Sequence, residues 1–174
     1  MIVERLDRSR HDPSRFAFGK LELDSCIRDR PSRDEDERPS DAYVLIDPAD
    51  SSSPPRGAGF FTLNSFAMPK RHARRRDRDS VRGGYNPVPA VLIGRLALDT
   101  AYQGRGLGGV LLVAALTRVL SLRNRLEIAV VVLHALDEDA ATFYEHQGFT
   151  RFQDEPGHLY YPLATFEAAL TSGG

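Results

Sequence analysis

Four glycines fall within the six residues Gly104-Arg105-Gly106-Leu107-Gly108-Gly109, directly ahead of an apolar stretch. Glycine enters backbone conformations closed to other residues, so successive N–H groups there can turn toward one point at the positive end of a helix dipole. That arrangement is an anion cradle, suited to a phosphate or pyrophosphate. Gly104, Gly106 and Gly109 also satisfy the spacing G-x-G-x-x-G of dinucleotide-binding turns. Two features weigh against a dinucleotide. Asp99 to Gln103 separates the loop from the strand before it, and the next strand closes on Leu133-His134 where an acidic residue is expected. Glycines used only for a tight turn and close helix packing are the remaining alternative, which leaves the chain-entropy cost of four glycines unexplained. His134 ends a strand, where ligands of open α/β sheets gather, although a single histidine in such a place equally serves structure. Asp137, ahead of the next helical stretch, fits a helix cap.

These residues need elements to position them. Met1 to Leu6 alternates as a short strand, and Pro13 and Ser14 precede apolar residues at Phe16, Leu21, Leu23 and Ile27 that predict a helix. Residues 28–41 carry six acidic and four arginine side chains with two prolines, a solvated charged loop. Ala42 to Ile46 and Gly57 to Asn64 read as strands paired in a hairpin across a Pro/Ser turn. Residues 65–89 read as a mobile basic insertion. Lys70, Arg71, Arg74, Arg75, Arg76, Arg78 and Arg82 stand there against Asp77 and Asp79, a net +5 within 13 residues. Beyond it the pattern predicts a strand (Ala90 to Leu98), a helix (Leu107 to Leu120), a strand (Ile128 to Leu133) and a helix (Asp139 to Gln147) stopped by Gly148. Phe149 to Gln153 and Leu159 to Pro162 give two short strands before a polar tail. Strand-helix-strand-helix order implies parallel pairing, so the fold class is α/β (α+β): a central mixed sheet of six to seven strands with helices on both faces.

Composition narrows the functions. The 174 residues, 41% of them apolar, suit one domain spanning 1–174. Basic and acidic side chains number 23 and 24, so no overall polybasic field draws the chain to nucleic acid or membrane. Arginine outnumbers lysine 21 to 2, which biased coding alone would produce, so a solvated arginine-rich loop stands beside an RNA-binding one. Cys26 is the sole cysteine, which excludes a disulfide framework and a cysteine-built zinc cluster, and no metal site is expected. The apolar run Val110 to Leu116 is far short of the roughly 18–20 residues of a membrane helix, and Met1 to Phe18 is too charged for a signal peptide. The expectation is a cytoplasmic protein without a membrane partner.

Gln103-x-x-Gly106-x-Gly108 after a strand, with Ala140-x-x-Phe143-Tyr144-x-x-x-Gly148-Phe149 downstream, resembles the acyl-CoA-binding core of the GNAT N-acetyltransferases. The resemblance implies the GNAT fold, with parallel strands 4 and 5 splayed apart, and acetyl-CoA (coenzyme A) as cofactor. By that likeness Gln103, Gly104, Arg105, Gly106, Leu107 and Gly108 hold the pyrophosphate, and main chain near Leu96 and Leu98 holds the pantetheine arm. Tyr144 is then the catalytic residue, acting as general acid toward the departing sulfur. No general base stands out, and an α-amino acceptor, with a reference pKa of about 7.7–8.0, needs none. Asp137 stands where many relatives carry an asparagine touching the cofactor.

Taken with Gly59-Phe60-Phe61-Thr62-Leu63, Pro87-Val88-Pro89, Ile93 to Asp99 and Leu159-Tyr160-Tyr161-Pro162-Leu163, the motifs are similar to those of the acetyltransferase toxins of bacterial toxin–antitoxin pairs. That likeness implies acetyl transfer to the α-amino group of aminoacyl-tRNA and a ribbon-helix-helix antitoxin as partner; homodimers are common among similar proteins. Arg95, pointing away from Leu96 and Leu98, and Arg74, Arg75 and Arg76 are the candidate substrate residues, since a local basic patch can contact an RNA backbone. A small-molecule amine, a protein N-terminus, or a nonenzymatic acyl-CoA-binding role are the alternatives.

Overall fold

A computed structural model describes residues 1–20, 24, 41–50, 52, 54, 57–78, 81, 86–123 and 127–172. Seven strands form a mixed sheet in the order β1-β2-β3-β4-β5-β7-β6, with β4 and β5 parallel. The strands are β1 (Ile2–Arg5), β2 (Asp41–Ile46), β3 (Gly57–Met68), β4 (Val88–Leu98), β5 (Val130–His134), β6 (Thr150–Arg151) and β7 (His158–Pro162). Among the described residues, the α-helices with bounds are α1 (Leu107–Arg123), α2 (Glu138–His146) and α3 (Leu163–Ser172). The described chain divides into two compact units, one of Met1–Asn64 and Gly94–Ala115, the other of Ser65–Ile93 and Leu116–Gly174.

In the first unit, β1 and β2 pair antiparallel from Ile2 with Ile46 to Arg5 with Tyr43, and β2 pairs with β3 from Asp41 with Leu63 to Ile46 with Gly57, as the hairpin pattern predicts. Its core gathers Phe16, Phe18, Val44, Ile46, Phe60 and Ala97. The predicted helix does not begin at Phe16; Asp24, the one described residue of its later part, is helical. A short 3₁₀ turn, Pro13–Arg15, leads into extended chain, because Phe16 and Phe18, two residues apart, both turn into the core. The Phe18 ring lies 4.9 Å from that of Phe60. Leu21, Leu23, Ile27 and the charged loop up to residue 40 lie outside the described residues.

In the second unit, β4 and β5 run parallel from Ala90 with Val130 to Ile93 with Leu133, and β5 pairs with β7 from Val130 with Pro162 to His134 with His158. Val130 to Leu133 are all buried, as expected of a strand covered on both faces. Beyond Ile93, β4 runs on to Leu98.

Residues 65–89 depart most from expectation. β3 continues to Met68, and Met68, Ala73, Val81 and Val88 join Ala90, Val130, Val132, Phe152 and Tyr160 in one core. Burial of a side chain such as Met68 or Val81 contributes about 1.5–3 kcal/mol, and polar bonds add to it. His72 is buried, and its Nδ1 donates to Asp154 Oδ1 at 2.6 Å, which holds the Asp154 carboxyl below its usual pKa. The Tyr160 hydroxyl donates to Asp77 and accepts from the Arg74 N–H at 3.0 Å. In place of a mobile insertion, residues 65–78 form an anchored strap; residues 79–80 and 82–85 lie outside the described residues. At the other end of the chain, residues 163–170, to which the sequence pattern assigned no element, form helix α3, which buries Leu163 and Phe166 and takes in Thr171 and Ser172 of the polar Thr-Ser-Gly-Gly tail.

Candidate active site

In the first unit, β4 leads into the glycine loop through a 3₁₀ turn, Thr100–Tyr102. Asp99, fully buried, organises this passage. One carboxylate oxygen accepts from Ala101 N–H at 2.9 Å and caps the turn, and the other accepts from Ala17 N–H at 3.0 Å. Gln103 Nε2 donates to the carbonyls of Leu98 (2.9 Å) and Phe18 (3.2 Å). The start and end of the turn are thus bolted to the Ala17–Phe18 segment, and the loop departs from a fixed point. Sequence reading passed over Asp99, although Asp ahead of a short turn is a capping signal.

Gly104 and Gly106 both take φ +71°, and a Cβ on either would meet nothing within 4 Å. Backbone conformation, not crowding, demands glycine at both positions. α1 starts at Leu107 with no acidic side chain in its first turn, so its free N–H groups face no built-in negative charge. Arg105 lies over the Tyr102 ring, Cζ 5.5 Å from the centroid. Leu96, Leu98, Leu107 and Gly108 are half-buried, whereas Arg95 is exposed and donates its main-chain N–H to Thr62 Oγ1 at 3.0 Å. A cavity of about 230 Å³ in this unit, lined by Arg8 to Pro13 and Pro54, contains none of the predicted site residues.

In the second unit, Tyr144 sits on α2, 8% exposed, with its ring 5.2 Å from Phe143 and 5.9 Å from Phe149. Burial, reinforced by the negative charge of Asp137, pushes its pKa up to about 12. Asp137 accepts from Ala140 N–H at 2.9 Å and caps α2. The helix ends at Gly148, φ +92°, where a Cβ would press on Tyr161 at 3.1 Å. Arg151 on β6 holds α2 from the side, with hydrogen bonds to Glu138 and Glu145. Nothing in the sequence pattern singled out Arg151, which matters only once β6 lies beside α2. Arg74, Arg75 and Arg76 all project from the strap into solvent.

A family model described as the acetyltransferase (GNAT) domain matches residues 73–151. A tRNA-acetylating toxin of Mycobacterium tuberculosis is 32% identical over 148 residues, covering 85% of this chain and 84% of that protein. The chain belongs to the GNAT acetyltransferases. A probable TacT toxin of Sinorhizobium fredii is 27% identical over 181 residues, 97% of this chain and 94% of that protein. A tyrosine-to-phenylalanine mutant of the AtaT toxin, solved with the C-terminus of the antitoxin AtaR and acetyl-CoA, has a TM-score of 0.77 at 26% identity and 98% coverage of both chains. As a GNAT acetyltransferase the chain is an acetyl-CoA-dependent enzyme. Its open, positive-φ glycine loop ahead of an uncharged helix start fits a diphosphate group. Among the described residues, no helix is long and apolar enough to cross a membrane.

Proposed function

We propose that this acetyltransferase modifies the α-amino group of aminoacyl-tRNA in the cytoplasm, and that a ribbon-helix-helix antitoxin restrains it. The observation that carries the acceptor is the 32% identity with a tRNA-acetylating toxin across 85% of the chain. The exposed arginines of an anchored strap are consistent with contacts to an RNA backbone.

Acetyl-CoA, when bound, supplies an acetyl group activated as a thioester. Main-chain N–H groups from Gln103 to Gly108 would hold the diphosphate, and main chain at Leu96 and Leu98 would orient the pantetheine arm and offer an N–H to the thioester oxygen. By the resemblance to GNAT enzymes, Tyr144 would be the residue that meets the departing sulfur. A thiol has a pKa of about 8.5, so with Tyr144 at about 12 complete proton transfer would be uphill by roughly 5 kcal/mol. Tyr144 therefore keeps its proton and donates a hydrogen bond to the developing thiolate, and the proton that the thiolate finally takes equals the one the attacking amine gives up. No side-chain base is required, since an α-amine is partly neutral near neutral pH.

The test incubates the protein with charged tRNA and labelled acetyl-CoA. Tyr144→Phe should lower kcat by about 100-fold or more with acetyl-CoA affinity retained by calorimetry, and should relieve growth arrest on expression. Label appearing only on free amines or protein N-termini, with charged tRNA untouched, would sink the acceptor assignment.

A further inference from the structure

Four rings of the second unit form a continuous ladder. His72 stacks on Phe152 at 4.8 Å and 10°, Phe152 on His158 at 5.6 Å and 24°, and His158 on His134 at 4.5 Å and 9°. The inner end is fixed. His72 is buried and bonded to Asp154, and its carbonyl accepts from Gln153 N–H at 3.2 Å. Phe152 also packs against Tyr160 in the core.

The outer end is open. His134 is exposed, and His158 is its only ring contact among the described residues. Gly157 lies along its edge, where a Cβ would come within 3.2 Å of Nε2. Strand alternation places His134 on the same face as the core residues Val130 and Val132, at the C-terminal end of a parallel strand. Around His158, burial and the neighbouring His134 and His72 lower its pKa, and only Glu155, 3.2 Å from Nδ1, opposes them. His158 thus stays neutral at physiological pH and backs His134 without repelling it. One face of the His134 ring is supported by three further rings, and the other has no ring upon it among the described residues.

We propose that this outer face of His134 is a stacking platform for a nucleobase of the acceptor RNA. A π face preset by the ladder loses little freedom on binding, and base–aromatic stacking tolerates any base. The strap supplies the complementary charge, with Arg71 and Arg74 close in sequence to His72 at the far end of the same ladder. The inference rests on the aminoacyl-tRNA assignment and adds a base-binding position to it.

The experiment measures steady-state kinetics with charged tRNA for wild type, His134→Ala and His134→Phe. His134→Ala should raise KM for charged tRNA roughly 10-fold or more with kcat and KM for acetyl-CoA nearly unchanged, and His134→Phe should recover most of the loss. An alanine variant with unchanged KM overturns the platform, as does a phenylalanine variant as impaired as alanine, since a ring nitrogen would then be at work. A fall in kcat with a displaced acidic limb of the pH profile would make His134 a base instead. Wild-type protein that leaves charged tRNA unmodified overturns the acceptor assignment and this inference together; wild-type turnover with an indifferent His134→Ala overturns the platform alone.

Discussion

The glycine loop and the arginine-bearing strap are both polar, both offer positive charge or partial charge to a ligand, and are held by opposite means. The loop is shaped from within. Gly104 and Gly106 take a conformation that only glycine adopts readily, and nothing presses on them from outside. The strap is shaped from without, by Met68 and Val81 in the core and by His72 and Tyr160, whose partners lie more than 80 residues away in the chain. A segment whose geometry is local can be read from its own residue types. One whose geometry comes from distant contacts cannot.

The largest effect expected of this contrast comes from the loop. Each L-residue forced to φ +71° costs about 1–2 kcal/mol, so Gly104→Ala combined with Gly106→Ala should weaken acetyl-CoA binding on the order of 100-fold by calorimetry. Charged-tRNA affinity should hold within about twofold, as for independent sites; an equal loss there would break the separation. Next comes the strap. Replacing Arg74, Arg75 and Arg76 with alanine should lower the slope of log affinity for charged tRNA against log salt by about 2, with acetyl-CoA KM unaltered. A slope identical to wild type would leave the arginines as mere solvated charge.

The smallest effect tests the anchor. Tyr160→Phe removes the hydroxyl that joins Asp77 and the Arg74 N–H, a loss of about 1–2 kcal/mol in stability, read as a lower denaturation midpoint. Alkaline titration sharpens it. Burial, and for Tyr160 the bond to Asp77, push Tyr144 and Tyr160 up to about 12. In the unfolded chain both ionise near pH 10. Between about pH 10 and 12 the unfolded state therefore holds fewer protons, and stability falls as pH rises through that window. Phenolate absorbance should show late-titrating tyrosines in wild type, with Tyr161 also raised by burial, and one fewer of them in Tyr160→Phe. If all tyrosines titrated together near 10, the burial argument would fail.

Much of the frame was legible because periodicity is local. The strands around Ala42 to Ile46 and Ala90 to Leu98 and the helices beginning near Leu107 and Asp139 were found within a few residues. The loop and Tyr144 were legible through motif spacing. Phe16, counted with Leu21, Leu23 and Ile27 toward a helix, misled because its ring shares a core with Phe18, and residues two apart on one side fit extended chain. α3 was hidden by its polar end, since Leu163 and Phe166 reveal an inward face only once Pro162 has closed β7. Asp99 and Arg151 act through partners that no spacing rule connects to them: Ala17 for one, Glu138 and Glu145 for the other.

The emptiness around Gly104 and Gly106 has a stereochemical corollary. A D-alanine, whose mirror-image backbone prefers positive φ, would adopt the backbone of either place without strain, where its L-enantiomer would strain the chain. Handedness, rather than bulk, is what that turn refuses, and a semisynthetic protein carrying D-alanine there should hold its cofactor as the natural one does.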